Sequence, residues 1–273
     1  MQQPKLMEER NIAIHPGDAE FKLLRLFRER RNYDIYFTLP FNTILLILDG
    51  GSGASSFENM KTGQMVIPKT GDIILVPAMM PVWSRPREDM IYIAIHFNLE
   101  YLPGCEVFDR NSPMSAESNP EEVAALNRCL ESEPRLKALF CVQTFALAYA
   151  MRHWPAEFES RTRCVGPFVP VLNYIRENIR AELSVAELAD FFGESQESFS
   201  RKFHREIGLS PKAFLEKELL RKVQALFSEE TLKIRDIAER AGFSSVAYFS
   251  VFFKRVSGMS PGEYKTQIMK SKF

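Results

Sequence analysis

Leu183-Ser-Val-Ala-Glu-Leu-Ala-Asp-Phe-Phe-Gly193 recurs 49 residues later as Leu232-Lys-Ile-Arg-Asp-Ile-Ala-Glu-Arg-Ala-Gly242. Phe199-Ser-Arg-Lys-Phe-His-Arg-Glu-Ile-Gly-Leu-Ser-Pro211 recurs at an offset of 50 as Phe249-Ser-Val-Phe-Phe-Lys-Arg-Val-Ser-Gly-Met-Ser-Pro261. Self-similarity of this kind marks a repeated supersecondary unit, and the one-residue slip falls in a segment where a loop absorbs it. Each copy reads as helix–turn–helix. Val185, Leu188, Ala189 and Phe192 fall at i, i+3, i+4 and i+7, an apolar stripe, repeated as Ile234, Ile237, Ala238 and Ala241. Ser184 with Glu187 makes a capping box, which Lys233 cannot make in the same way. Gly193 and Gly242 stand where the chain leaves the helix sharply, a position suited to positive φ. Ser195, and Ser244 or Ser245, are placed to cap the second helix of each unit. Phe199 with Phe203, and Phe249 with Phe253, are spaced four apart to lock that helix onto the first, so they read as core and not as base stackers.

What is left of the second helix is its outward face. In the first copy that face carries Gln196, Glu197, Ser200, Arg201, Lys202 and Arg205; in the second it carries Ser245, Val246, Ala247, Ser250, Val251, Lys254 and Arg255. A short helix with polar and basic residues near its N-terminal half suits a DNA major groove. Arg201 is the base-reading candidate, because a guanidinium can bond guanine O6 and N7 together. Lys202, Arg205, Lys254 and Arg255 suit phosphates. Glu197 either accepts from cytosine N4 or repels DNA, and His204 either touches a phosphate or fills surface. Between the copies, Ser210-Pro211 is an N-cap followed by Pro at the first helical position. A helix over 211–227 is expected to bury Leu219, Leu220, Val223, Leu226 and Phe227, and at roughly 25 Å it would hold the two units apart.

The charge totals conceal this. The 273 residues carry 35 Lys plus Arg and 35 Asp plus Glu, so the net charge is zero, which by itself argues against a nucleic-acid binder. Residues 1–164 carry 18 basic and 21 acidic side chains, and residues 165–273 carry 17 and 14. The total is therefore a cancellation of −3 and +3. Cys105, Cys129, Cys141 and Cys164 sit far apart in sequence and support neither a zinc site nor a disulfide framework, which predicts a reducing, cytoplasmic setting. Met1 to Asn11 lacks the apolar core of a signal peptide. The apolar stretch Ala138 to Met151 is too short to span a bilayer, so no membrane partner is expected.

The first hundred residues read as strands. Ile44 to Leu48 runs into Asp49-Gly50-Gly51-Ser52-Gly53, Lys69 to Asp72 turns into Ile73 to Val76, and Ile91, Ile93, Ile95 and Phe97 alternate with Tyr92, Ala94, His96 and Asn98. Short strands at this spacing suggest a sandwich or barrel. Glu121–Leu130 and Arg135–Arg152 carry helical periodicity. The expected division is 1–110 for the β domain, 111–164 for a helical connection and 165–273 for the repeated unit. Tyr36, Trp83, Tyr92 and His96 are candidates for an effector pocket, with ordinary packing as the alternative.

The last ~105 residues resemble the paired helix–turn–helix domain of AraC/XylS-type transcription regulators. The stretch Ala241-Gly-Phe-Ser-Ser-Val-Ala-Tyr-Phe-Ser-Val-Phe-Phe-Lys-Arg-Val-Ser-Gly-Met-Ser-Pro-Gly-Glu-Tyr264 tracks the family signature almost throughout. The β-rich part resembles the family's cupin-like sensor domain through Leu48 to Gly53, Gly71 to Pro77 and Ile95-His-Phe97. The resemblance implies an α+β two-domain chain: an N-terminal cupin-like β-barrel with appended helices and a C-terminal all-α double helix–turn–helix. It further implies double-stranded promoter DNA and RNA polymerase as partners, a small-molecule effector, and a homodimer formed through 121–152, with packing of 121–152 on the barrel as the alternative. Val251 departs from the pattern, since the family often has a basic side chain there. The second unit is therefore expected to read shape, phosphates or a thymine methyl more than base edges. A cupin enzyme fused to a DNA-binding tail is the rival reading, but His15, His96, His153 and His204 never lie close together, so neither metal nor cofactor is expected. A barrel that binds a protein partner, or no ligand, is the third.

Overall fold

The computed structural model describes residues 19–270 except 52–54, 87–88, 110, 157, 159–165, 228 and 230. The segment Met1 to Asn11, His15, Ser52, Gly53, Cys164 and the expected junction at 164/165 lie outside the described residues.

The N-terminal half is built from two antiparallel sheets. The larger has β1 (Glu20–Arg31), β8 (Met90–Leu102), β3 (Asn42–Asp49), β6 (Asp72–Val76) and β10 (Ser115–Ser118) in that order, with β9 (Cys105–Glu106) also paired to β8. The smaller orders β2 (Ile35–Thr38), β7 (Pro81–Arg85), β4 (Ser56–Asn59) and β5 (Met65–Val66). Leu45 pairs with Ala94 on one side and Ile74 on the other. With Phe27, Tyr92, Phe37, Phe57 and Val82 these residues fill the space between the sheets. The alternate residues Ile44, Leu46, Ile73, Ile93, Ile95 and Phe97 face the other way.

That second face is covered by α1 (Pro120–Ser132) and α2 (Arg135–Arg152), which lay Val123, Leu126, Val142, Phe145, Ala146 and Tyr149 against it. The Tyr149 hydroxyl donates to the Ile73 carbonyl at 3.2 Å. The central strands are thus buried on both faces. This is why the period-2 alternation over 91–98 does not divide core from solvent: Tyr92, Ala94, His96 and Asn98 are as buried as the isoleucines between them.

The C-terminal half is helical. A 3-10 turn at Gly166–Phe168 leads into α3 (Val169–Asn178), followed by α4 (Val185–Phe192), α5 (Gln196–Ile207), α6 (Pro211–Phe227), α7 (Ile234–Arg240), α8 (Val246–Ser257) and α9 (Pro261–Lys270). The caps follow the sequence closely. Ser184 accepts from the Glu187 N–H at 3.1 Å, Ser195 from the Ser198 N–H at 3.3 Å, and Ser245, not Ser244, from the Tyr248 N–H at 3.1 Å. At the α7 start the Asp236 carboxylate accepts from the Lys233 N–H at 2.8 Å, which supplies the half of a capping box that a lysine permits. Gly193 and Gly242 have φ of 80° and 82°, a left-handed conformation that an L side chain resists.

Helix α6 joins the two halves. Phe214, Leu219, Leu220, Val223 and Phe227 enter the apolar core of the helical half, while Leu226 is half-buried. Lys217, Glu218 and Gln224 are buried as well, on the side that meets the β8–β9 hairpin. The Lys217 ammonium donates to the Gly104 carbonyl, and Arg221 pairs with Glu100, with Glu218 at 3.3 Å and with Glu106 at 3.6 Å. Glu106 also accepts from the Asn42 side chain and the Leu99 N–H, each at 2.9 Å. Burial pushes the Glu106 carboxyl up to about 7, with Glu100 adding to the rise and Arg221 pulling against it. Arg221 and Lys217 hold Glu218 below its ordinary value despite its burial, and the surrounding carboxylates raise Arg221.

Removing one partner from a buried ion cluster leaves the others uncompensated, at a cost of about 3–5 kcal/mol. Arg221→Met is therefore expected to destabilise the protein by about that amount in a urea melt at neutral pH. Glu106 has a folded value above its unfolded 4.5. Its contribution to stability is thus fully present below about pH 4.5 and lost as pH rises through 7. Glu106→Gln should flatten the dependence of Tm on pH between those values, and an unchanged slope would show that Glu106 is not the titrating group.

Candidate nucleic-acid interface

Each helix–turn–helix unit is closed by aromatic packing. In the first, the Phe199 and Phe203 rings lie 5.5 Å apart, Phe168 stacks on Phe192 at 4.8 Å, and Phe203 meets Phe214 of α6 edge-on at 5.4 Å. In the second, Phe249 and Phe253 lie 5.8 Å apart, with Phe243, Phe227 and Tyr264 around them. Phe199, Phe203, Phe249 and Phe253 have no exposed surface, so they are core; truncating one would cost about 3–5 kcal/mol. Arg180 bonds the Glu187 carboxylate at 3.0 and 3.1 Å, and Tyr174 donates to it at 2.7 Å, which ties α3 to the start of α4.

With one face of α5 fixed in this way, Gln196, Glu197, Arg201, Lys202 and Arg205 point to solvent, and Ser200 is half-buried. The basic residues differ in what already holds them. Lys202 pairs with Glu194, and Arg205 lies 2.6 Å from Glu206. Arg201 makes no hydrogen bond or ion pair among the described residues. Arg201 breaks no ion pair within the described residues when it meets a base edge and exchanges only water, whereas Lys202 and Arg205 must exchange a carboxylate for a phosphate.

The second unit presents a different surface. Ser245, Val246, Ala247, Val251, Lys254 and Arg255 are exposed, but Ser245 is committed to its cap and Ser250 donates to the Val246 carbonyl at 2.8 Å. Arg255 forms a double contact with Glu216 of α6 at 3.0 and 3.1 Å. Val251 is 66% exposed and Tyr248 54%. Sequence reasoning passed over Tyr248 because it sits beside the core residue Phe249. The signal was the alignment itself, in which Tyr248 stands against Ser198, a large aromatic in place of a small polar residue.

The four effector-pocket candidates separate into pairs. Tyr36 and Trp83 are cross-strand partners and face away from Phe37 and Val82, which point between the sheets. The alternation of β2 and β7 therefore keeps both out of the cavity, and Arg85 lies over the Trp83 ring at 4.6 Å. Tyr92 and His96 do line the cavity between the sheets, together with Arg25, Arg31, Phe27 and Leu45. Tyr92 donates to Glu29 at 2.5 Å. Burial, helped by Arg25 and Arg31, pushes His96 down to about 3, so its ring is neutral.

The cavity is closed by Met259 and Tyr264 of the second helix–turn–helix unit and measures about 50 Å³. A neighbouring cleft of about 700 Å³ shares Arg25, His96 and Tyr264 with it and runs between β1, β8, α3 and α6. Among the described residues no group of three or more His, Cys, Asp or Glu side chains is placed to hold a metal ion, and no helix is long and apolar enough to cross a membrane.

Residues 188–267 match a family model described as a helix-turn-helix domain. These residues are a helix–turn–helix domain of the AraC type. The chain is 33% identical over 134 residues to an uncharacterised HTH-type transcriptional regulator, YfiF, of Bacillus subtilis (strain 168), covering 49% of this chain and 41% of that protein. It is 29% identical over 97 residues to the xylose operon regulatory protein of Escherichia coli (strain K12), covering 36% of this chain and 25% of that protein. The chain thus spans less than half the length of these curated relatives. Over both halves the fold is similar to that of ToxT from Vibrio cholerae O395: TM-score 0.61 at 15% identity, over 90% of this chain and 97% of that one. A ToxT structure from strain SCE256 with an unsaturated fatty acid bound has a TM-score of 0.58 at 14% identity, over 92% and 97%. The AraC-type domain and the β-rich half are therefore joined as they are in a known fold.

Arg201→Ala is expected to relax operator specificity by ~1–3 kcal/mol and Val251→Ala by less. Gel-shift titrations against a mapped site and its single-base variants check the order, and the reverse order would refute the assignment of Arg201.

Proposed function

We propose that the protein is a sequence-specific, DNA-binding transcription regulator of the cytoplasm, controlled by a small effector held where its two halves meet. The observation that carries this reading is the pair of outward helices, α5 and α8, each locked to its partner helix by phenylalanines and both fixed to α6. Arg201 reads bases; Lys202, Arg205, Lys254 and Arg255 contact phosphates; Val246, Tyr248 and Val251 offer apolar surface to thymine methyls or groove shape. Gln196, Glu197, Ser200, Ser245, Ala247 and Ser250 border these contacts. Phosphate contacts release counterions, so binding should weaken steeply with added salt.

The effector reading rests on the shared cavity. Met259 and Tyr264 close a space otherwise lined by the β sheets, so a ligand entering it binds one arrangement of the halves better than another. That differential affinity is what allows a ligand to shift an equilibrium. The closed cavity has room for only a water or two, whereas the adjoining cleft reaches the size of small-molecule sites. An apolar carboxylate suits the Arg25 guanidinium, which the cleft and the cavity share, with Phe27 and Leu45 in the cavity beyond it, and ToxT, whose fold is similar, has been crystallised with an unsaturated fatty acid.

Leu136, Phe140, Leu147 and Met151 are exposed along one side of α2. Their spacing of four, seven and four residues lines them up as a stripe, which supports a homodimer through this helix. Activation through RNA polymerase rests on family resemblance alone.

Oleate is expected to raise the Tm of the full chain and change its affinity for operator DNA, with both effects reduced in Arg25→Ala. A Tm insensitive to saturating oleate would refute the fatty-acid class while leaving DNA recognition standing.

A further inference from the structure

The four cysteines are scattered in sequence, yet the fold brings two of them together. Helices α1 and α2 form an antiparallel hairpin across Glu133-Pro134. Cys129 lies in the last turn of α1 and Cys141 near the second turn of α2, so each falls opposite the other across the hairpin. Their thiols are in hydrogen-bonding contact. Both side chains are partly exposed. Cys105, by contrast, is buried in the β domain, where burial pushes its thiol up to about 12.

The contact with Cys141 holds the Cys129 thiol above its ordinary value, with Glu133 adding to the rise and Lys137 opposing it. Lys137 sits one turn before Cys141 and bonds Glu133 at 2.9 Å, within electrostatic reach of both thiols. The thiolate is the attacking species in thiol–disulfide exchange, so reaction at the pair should quicken as pH rises. Nothing in the DNA-binding or effector reading uses either cysteine.

We propose that Cys129 and Cys141 are a redox-active dithiol, a modification site that a small-molecule disulfide such as oxidised glutathione converts to an intramolecular disulfide. One thiol loses its proton and attacks a sulfur of the glutathione disulfide. A protein–glutathione S–S bond forms, and the first glutathione leaves as a thiolate that takes up a proton. The second cysteine, deprotonated in turn, attacks the protein sulfur of that mixed disulfide and expels the second glutathione. Two protein thiols and one glutathione disulfide thus give one protein disulfide and two glutathione thiols, so the protein pair is oxidised and the glutathione reduced. The product ties α1 to α2 beside the exposed Phe140. A disulfide formed reversibly in a reducing compartment has a sensing role more often than a structural one.

The test treats the full chain with oxidised glutathione, blocks residual thiols with iodoacetamide and maps the peptides. The expected product is a link between Cys129 and Cys141 with no glutathione retained on either, a loss of two hydrogens in intact mass, and a rise in Tm that dithiothreitol reverses. Cys141→Ser removes the resolving thiol, so Cys129 should stop as the glutathione adduct; Cys129→Ser should leave Cys141 in the same state. Separate adducts on both cysteines of the unmutated protein would overturn the proposal. So would two alkylated thiols under a ratio of oxidised to reduced glutathione that converts a reference dithiol.

Discussion

Helix α6 has to satisfy two environments at once, and the rest of the structure depends on how it does so. Its apolar residues belong to the cores of both helix–turn–helix units: Phe214 meets Phe203 and Phe227 meets Phe253. Its remaining face buries Lys217, Glu218, Arg221 and Gln224 against the β8–β9 hairpin. Burying charge is costly unless every ion is paired and hydrogen-bonded. Arg221 with Glu100, Glu106 and Glu218, and Lys217 with the Gly104 carbonyl, meet that requirement. Such a cluster contributes little net stability compared with apolar packing, but it tolerates few alternative registers. One helix therefore sets the relation between α5 and α8 and also the relation of both to the β-rich half.

In the proposed mechanism this arrangement makes the junction responsive. The cavity between the sheets is closed by Met259 and Tyr264, which stand in the same unit as α8, and Tyr36 on the outer face of β2 lies against Gly258 at the end of that recognition helix. Under the proposed effector control, a ligand that displaced Tyr264 or Met259 would act directly on the second helix–turn–helix unit, with no long relay needed. In the proposed recognition the two units divide the work. The first offers Arg201, which has no partner among the described residues, and the second offers tyrosine and valine surface, with Arg255 anchored to α6 through Glu216.

The C-terminal domain was readable from sequence because its determinants are local. Caps, positive-φ glycines and apolar stripes act within a few residues, and duplication states each of them twice. The alternating strand at 91–98 was readable as a strand but not for its burial, since what covers its second face is α1 and α2, tens of residues away. The buried ion cluster was out of reach for the same reason: Arg221 and Glu100 are 121 residues apart, and nothing in either neighbourhood marks them as partners. Tyr36 and Trp83 carried the right chemistry for a pocket, but the pleat of β2 and β7 turns them outward. Cysteine spacing was uninformative because an antiparallel hairpin, not a short motif, pairs Cys129 with Cys141.

The account stands or falls on both recognition helices engaging one DNA face together. Hydroxyl-radical footprinting of the full chain on its own operator measures this directly. The prediction is two protected patches per monomer, centred about one helical turn or 10 bp apart on the same face, with the patch nearer the first unit abolished in Arg201→Ala at limiting protein. A single patch, or two on opposite faces of the duplex, would contradict it.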